Sequence, residues 1–120
     1  MLRNFDISEF DSPDQKGSGS LMQMSTLEMM DRARSLAGVP FQVNSGYRTP
    51  QHNLQVGGSA TSSHLKGYAA DIAVTPLTKS RILRGLIGAG FKRIGIASTF
   101  IHADNDPDKN ASTWLYSKHS

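Results

Sequence analysis

Three side chains of this 120-residue chain have the types and spacing to hold a metal together: His64, Asp71 and His102. There is no cysteine, which removes disulfides, thiol nucleophiles and cysteine-type zinc sites. Any metal must therefore be held by His, Asp or Glu. His64 follows a polar loop and opens Ser-His-Leu-Lys-Gly-Tyr-Ala-Ala-Asp, which ends on Asp71. Asp71 is flanked by Ala69, Ala70, Ile72 and Ala73, and a carboxylate in such a run is costly to bury alone. A metal would compensate it, and so would a salt bridge or a capped turn. His102 sits in a second apolar run, Phe-Ile-His-Ala-Asp. Taken singly, each histidine is more often structural than ligating. Taken together, two imidazoles and one carboxylate meet the needs of a catalytic zinc site, which keeps one position for water.

Arg48, in Ser-Gly-Tyr-Arg-Thr-Pro, follows a short alternating segment and is placed for a loop to present it. Near a metal it could hold a carboxylate or stabilise an oxyanion; elsewhere it would form a surface salt bridge. His52 and His119 carry no such pattern and read as structural. Trp114 and Tyr116 read as packing on an edge strand, and Tyr47 and Tyr68 as either cleft or packing residues.

The elements that must position these groups follow from punctuation and period. Residues 1–20 read as an N-terminal arm, with a turn at Ser12-Pro13-Asp14, a flexible joint at Gly17-Ser18-Gly19-Ser20, and Phe5, Ile7 and Phe10 as anchors. Ser25-Thr26-Leu27-Glu28 matches a capping box with Ser25 as N-cap. The helix after it sets Leu27, Met30, Ala33 and Ala37 on one side and stops at Gly38, with Pro40 beyond. Met22, Met24, Met29 and Met30 read as core or half-core filler. A strand over 41–45, a short helix over 50–56, a polar loop over 57–63 and a buried strand over 68–74 come next. The next helix begins near Thr78 with Ile82, Leu83, Leu86 and Ile87 on one face, and Gly90 ends it. Strands over 93–97 and 100–104 and an edge strand over 111–116 close the chain. The order predicts an α+β fold with a small antiparallel sheet flanked by helices, one domain over 1–120.

Composition excludes several classes. The net charge of +3, from 13 Lys+Arg against 10 Asp+Glu, is scattered without a basic run, so no nucleic-acid partner is indicated. No apolar run approaches the ~20 residues of a membrane span, and MLRNFDISEF has no apolar stretch of a secretory signal.

Ser-Gly-Tyr-Arg-Thr-Pro, Val-Gly-Gly-Ser, Ser62-x-His64-x-x-Gly67-x-Ala69-x-Asp71 and Phe-Ile-His102-x-Asp104, in this order, resemble the zinc D-alanyl-D-alanine carboxypeptidase family. That family includes phage L-alanyl-D-glutamate endopeptidases and shares its fold with hedgehog domains; the compact length is similar to a short, phage-type branch. The resemblance runs from about Phe5 to Tyr116. It implies a hedgehog/DD-peptidase-like fold with one zinc ion on the sheet, held by His64, Asp71 and His102. It implies Arg48 as the group on the scissile carbonyl oxygen or oxyanion, Ser62 as a residue that orients the ligand segment or touches substrate, and Gly67 as a close backbone approach to the metal. It further implies a metallopeptidase, made in the bacterial cytoplasm, phage or prophage encoded, acting as a monomer on peptidoglycan peptides. Many active members place Glu or Asp three residues before the last histidine; here that residue is Thr99. Asp104 is the nearest carboxylate, on the same strand face as His102, either as proton acceptor or as the group that orients the histidine. Glu28 and Asp106 are weaker choices for a base. The alternative to a peptidase is a zinc-containing module that binds wall peptides or a partner protein without cutting.

Overall fold

The computed structural model describes residues 2–116. Three helices, α1 (Met24–Ala37), α2 (Pro50–Gln55) and α3 (Lys79–Gly88), accompany five strands, β1 (Val43–Ser45), β2 (Ala69–Ala73), β3 (Arg93–Ile96), β4 (Phe100–Asp104) and β5 (Ser112–Leu115). The strands form one sheet in the order β1-β2-β4-β3-β5. The first four pair antiparallel, as the α+β reading predicts. β5 departs from it: it lies at the edge as expected but runs parallel to β3. Residues 105–111 carry the chain back across the sheet end before β5 begins, and that return sets the parallel direction.

The period-two alternation of the strands divides the sheet into two faces. Ala70, Ile72, Ile94, Ile101 and Ala103 point into the core, where α1 and α3 supply Leu27, Met30, Ala33, Ala37, Ile82 and Leu86. Asp71, His102 and their row neighbours occupy the other face. The apolar side expected for α1 is buried, and Gly38 stops the helix at φ +70°. On α3, Ile82 and Leu86 are buried and Leu83 is half-buried, but Ile87 is exposed, because the face that meets α1 is narrower than four consecutive apolar positions.

Three local readings are corrected. The first turn of α1 has Gln23, not Ser25, at its N-cap, with no side-chain cap. The Gln23 carbonyl accepts from the Thr26 and Leu27 amides, and the Ser25 and Thr26 side chains are drawn to Asn105 instead. Met24 is exposed, whereas Met22 and Met30 are core and Met29 packs against it. The joint at 17–20 is a packed turn: Ser18 and Gly19 are buried, and the Gly17 and Gly19 amides donate to the two Asp11 carboxylate oxygens. Phe5 and Phe10 anchor this segment in the core with rings 5.2 Å apart, while Ile7 is exposed.

The two long helices meet at Gly85. A Cβ there would lie 2.5 Å from the Ala33 carbonyl oxygen and 2.9 Å from Ala37 Cβ. Alanine in a helix interior gains about 1 kcal/mol over glycine, but overpacking against backbone costs about 1–3 kcal/mol. Gly85→Ala should therefore lower the urea midpoint at unchanged m-value; an equal or higher midpoint would show that α1 and α3 separate freely.

Candidate metal centre

The sheet register builds the floor of the site. Ser45 pairs with Asp71, Asp71 with His102, His102 with Gly95, and Gly95 with Trp114. This is one row across all five strands on the face away from the core. His64 reaches the same point from a 3-10 turn, Ser63–Lys66, just before β2. Ser62 caps that turn by accepting from the His64 amide, so its link to the ligand segment is the hydrogen bond itself, and it also lines the cleft. Gly67 ends the turn at φ +77°, where a Cβ would lie 2.5 Å from the Leu21 carbonyl oxygen. Its missing side chain makes room for the N-terminal segment rather than for the metal site.

His64 Nε2 lies 3.3 Å and His102 Nδ1 2.8 Å from Asp71 Oδ1, and one donor atom from each residue falls within 4.8 Å of the others. The remaining ring nitrogens are tethered. His64 Nδ1 is 2.7 Å from the Gly46 carbonyl oxygen, which can only accept, so Nδ1 keeps a proton and the neutral ring would offer the Nε2 lone pair to a metal. His102 Nε2 is 2.7 Å from Asp104 Oδ2. A metal on His102 Nδ1 would leave the Nε2–H donating to the Asp104 carboxylate, the carboxylate–histidine–metal arrangement that fixes tautomer and ring. The donor set therefore fits a divalent metal of the zinc type.

Charge in the cluster follows from burial and partners. Burial works to raise the Asp71 pKa, but the hydrogen bonds and charges of His102 and His64 prevail and hold it below the usual carboxylate range. Burial opposes the charge on His102, yet Asp104 and Asp71 together push its pKa above the ordinary imidazole value. Asp104 is lowered against its burial, first by His102 and then by the Asp106 amide and Arg93. Its Oδ1 accepts from Arg93 Nε at 2.8 Å and from the Asp106 amide at 3.2 Å. With Oδ2 on His102, both oxygens are engaged.

A cleft of about 400 Å³ opens over the cluster. Arg48 lines it with 15% of its side chain exposed. Nε donates to Ser45 Oγ at 3.0 Å, Nη1 to Asn53 Oδ1 at 3.2 Å and Nη2 to Asp71 Oδ2 at 3.5 Å. Gly58 closes against Asn53 and Arg48 where a Cβ would overlap the Asn53 amide. Trp114 and Tyr116 also line the cleft, which corrects the reading of edge packing alone: the indole lies 5.6 Å from the His102 ring and 5.1 Å from the Arg93 guanidinium carbon. Gly95 permits this, since a Cβ there would stand 2.5 Å from Trp114 Nε1. A glycine inside Arg-Ile-Gly-Ile was the available sequence signal for a close approach. Arg93, Lys109 and Asn53 had no comparable signal.

Other residues lie elsewhere. Thr99 is exposed in the β3–β4 turn and does not line the cleft. Glu28, His52, Tyr47 and Tyr68 do not line it either, and Tyr47 packs against the core. His119 lies outside the described residues.

Asp106 ties the turn that carries His64 to the chain after β4. Its buried carboxylate accepts from Lys66 Nζ at 2.7 Å and from Ser63 Oγ at 2.8 Å. Burial raises its pKa, but these bonds and the Asp108 amide bring it down to about 2. A depressed carboxylate stabilises the fold fully above its unfolded pKa of ~3.9, and that stability fades as pH falls through about 2. Lys66 is 39% exposed, so screening limits the gain to about 1 kcal/mol. Asp106→Asn should be less stable than wild type by that amount at pH 7, and the gap should narrow in urea titrations below pH 3. A gap independent of pH would remove the ion pair as its cause.

A family model described as Peptidase M15 matches residues 3–104. No curated protein matches the chain. Among the described residues no helix is long and apolar enough to cross a membrane.

Proposed function

Because the chain belongs to the peptidase M15 family, we propose that it is a zinc-dependent peptidase cleaving stem peptides of bacterial peptidoglycan, at a bond of the D-Ala-D-Ala carboxypeptidase or L-Ala-D-Glu endopeptidase type. The observation that carries this reading is the convergence of His64 Nε2, Asp71 Oδ1 and His102 Nδ1 on the cleft floor, with both imidazoles tethered from behind. These three would hold one zinc ion. Zinc bound there would supply Lewis acidity and a water whose pKa falls towards ~7. Arg48 would place a guanidinium N–H against the developing oxyanion. Asp104 would hold His102 in the ligating tautomer, with Arg93 and the Asp106 amide fixing the carboxylate. Ser62 would hold the His64 turn at the cleft edge. His102 and Asp71 keep 10% and 13% of their side chains exposed at the cleft floor, so the cluster can be reached from solvent.

A second reading, a zinc-holding module that binds such peptides without cutting them, has one observation in its favour. Asp71 and Asp104 are the only acids among the described residues that line the cleft, and both oxygens of Asp104 already serve other groups. Elemental analysis of wild type and His64→Ala, paired with release of amino groups from purified peptidoglycan with and without chelator, tests both. Stoichiometric zinc and cleavage lost together in the variant support the peptidase. Zinc without cleavage supports the binding module, and no zinc in wild type refutes both.

A further inference from the structure

The family match ends at residue 104, yet one wall of the cleft is built by residues beyond it. Lys109, Trp114 and Tyr116 line the cleft from this later segment. The segment is tied to the site: Arg93 donates from Nη1 to the Asn110 carbonyl at 2.7 Å, stacks on Trp114, and holds Asp104 with its Nε. Trp114 and Tyr116 stand 6.2 Å apart, ring to ring, on the same side of β5. They present a rigid apolar surface beside His102.

Charge along this wall is unbalanced. Three cations, Arg48, Arg93 and Lys109, line the cleft with two carboxylates, Asp71 and Asp104. Arg93 is paired with Asp104 at 2.8 Å, and Arg48 faces Asp71 at 3.5 Å. Lys109 Nζ donates only to a neutral group, the Thr61 carbonyl, at 2.7 Å. Among the described residues no carboxylate lies within 4.0 Å of it. A divalent cation on the floor would add further positive charge. A cleft of this sign, with one ammonium that lacks an anion among the described residues, suits a ligand that brings a carboxylate.

We propose that the segment 109–116 is the substrate-recognition wall of the cleft, Lys109 pairing a carboxylate of the bound peptide while Trp114 and Tyr116 pack against the chain beside it. This rests on the peptide-binding reading above and adds the chemical class it accepts: peptides carrying a free carboxylate, either at the C-terminus or on a side chain.

Trp114 is the only tryptophan, so its emission reports binding without any need for cleavage. The probes are alanine tetrapeptides, one pair ending in acid or amide and one amidated pair with internal Glu or Gln. They are titrated into the full chain, both metal-free and zinc-loaded. Wild type should bind at least one acid-bearing peptide about tenfold more tightly than its neutral partner, the effect of one charge-assisted hydrogen bond. The pair that discriminates identifies which carboxylate is read. Lys109→Gln should bring that ratio close to one and Lys109→Arg should keep it. Lys16→Gln, an exposed charge in the N-terminal segment, controls for net charge and should also keep it. An unchanged ratio in Lys109→Gln, equal binding of all peptides to wild type, or no binding overturns the proposal. Discrimination without cleavage would retain the wall and reject the peptidase; cleavage indifferent to peptide charge would do the reverse.

Discussion

Asp71→Asn is expected to abolish stoichiometric zinc and to lower peptide hydrolysis by at least about 10³-fold, the scale of losing metal-assisted water activation. The substitution keeps the shape of the side chain and removes its charge. Asp71 Oδ1 is the one atom that meets both imidazoles, at 2.8 and 3.3 Å, and Asp71 lies between them in the cluster. An amide in that place gives a neutral, weaker ligand and can turn an N–H towards the His64 lone pair. Stability reports the same loss independently of activity. A ligand that binds only the folded state stabilises by RT ln(1 + [L]/Kd), about 4 kcal/mol at 1,000 Kd. For a chain of this size that is worth on the order of 15 °C in Tm. Wild type should therefore lose a large part of its Tm on chelation, and Asp71→Asn should melt at one temperature with or without chelator. Full zinc in the variant, or an equal response of both proteins to chelator, would remove Asp71 from the ligand set.

The three residues of the candidate metal cluster were legible because their types and spacing survive any uncertainty in the fold. Asp71 lies seven positions after His64, and the apolar run around Asp71 marks it as a carboxylate that needs compensation. Which atoms meet was not legible. It depends on the β2–β4 register, which pairs Asp71 with His102, and on the Gly46 carbonyl behind His64. Register is set by how whole faces bury, and no local pattern carries it. The strand face did carry one correct inference. Asp104 stands two residues from His102 and so shares its side of the sheet. The structure adds that Asp104 is saturated by His102, Arg93 and Asp106, which supports the orienting role over the proton acceptor.

The misread elements share a cause. Ser25 through Glu28 has the letters of a capping box, but Asn105, distant in sequence, engages the Ser25 and Thr26 side chains. Gly17 through Ser20 has the composition of a flexible joint, but Asp11 satisfies its amides and Gly19 fits where a side chain would overlap the Ile7 carbonyl. Trp114 reads as edge packing because its strand is an edge strand. Only the pairing of Gly95 with Trp114 brings the indole over β3 to the His102 ring. In each case a long-range contact overrides a local preference, and local preferences here are worth only about 1 kcal/mol.

Arg48→Ala should lower kcat by about 10²–10³-fold with zinc content unchanged and KM moved much less. That is the cost of removing one pre-aimed donor to a developing oxyanion. The guanidinium is held on two sides by good hydrogen bonds, to Ser45 and Asn53, while its third contact, Nη2 to Asp71 Oδ2, is long at 3.5 Å. Nη2 is thus aimed at the cluster and only loosely engaged there. An interaction that shortens as charge develops lowers the barrier without tightening the ground state, so the loss belongs in kcat. Lysine cannot reproduce the fork that reaches Ser45, Asn53 and Asp71 together, so Arg48→Lys should recover less than about tenfold of the loss. The fold should survive both changes at a cost of about 1–2 kcal/mol, because buried Asn53 loses the Arg48 donor but keeps its own bond to the Ser59 carbonyl. A near-wild-type rate in Arg48→Ala would assign oxyanion stabilisation to another group. A rate lost together with zinc would make Arg48 a support for Asp71 instead.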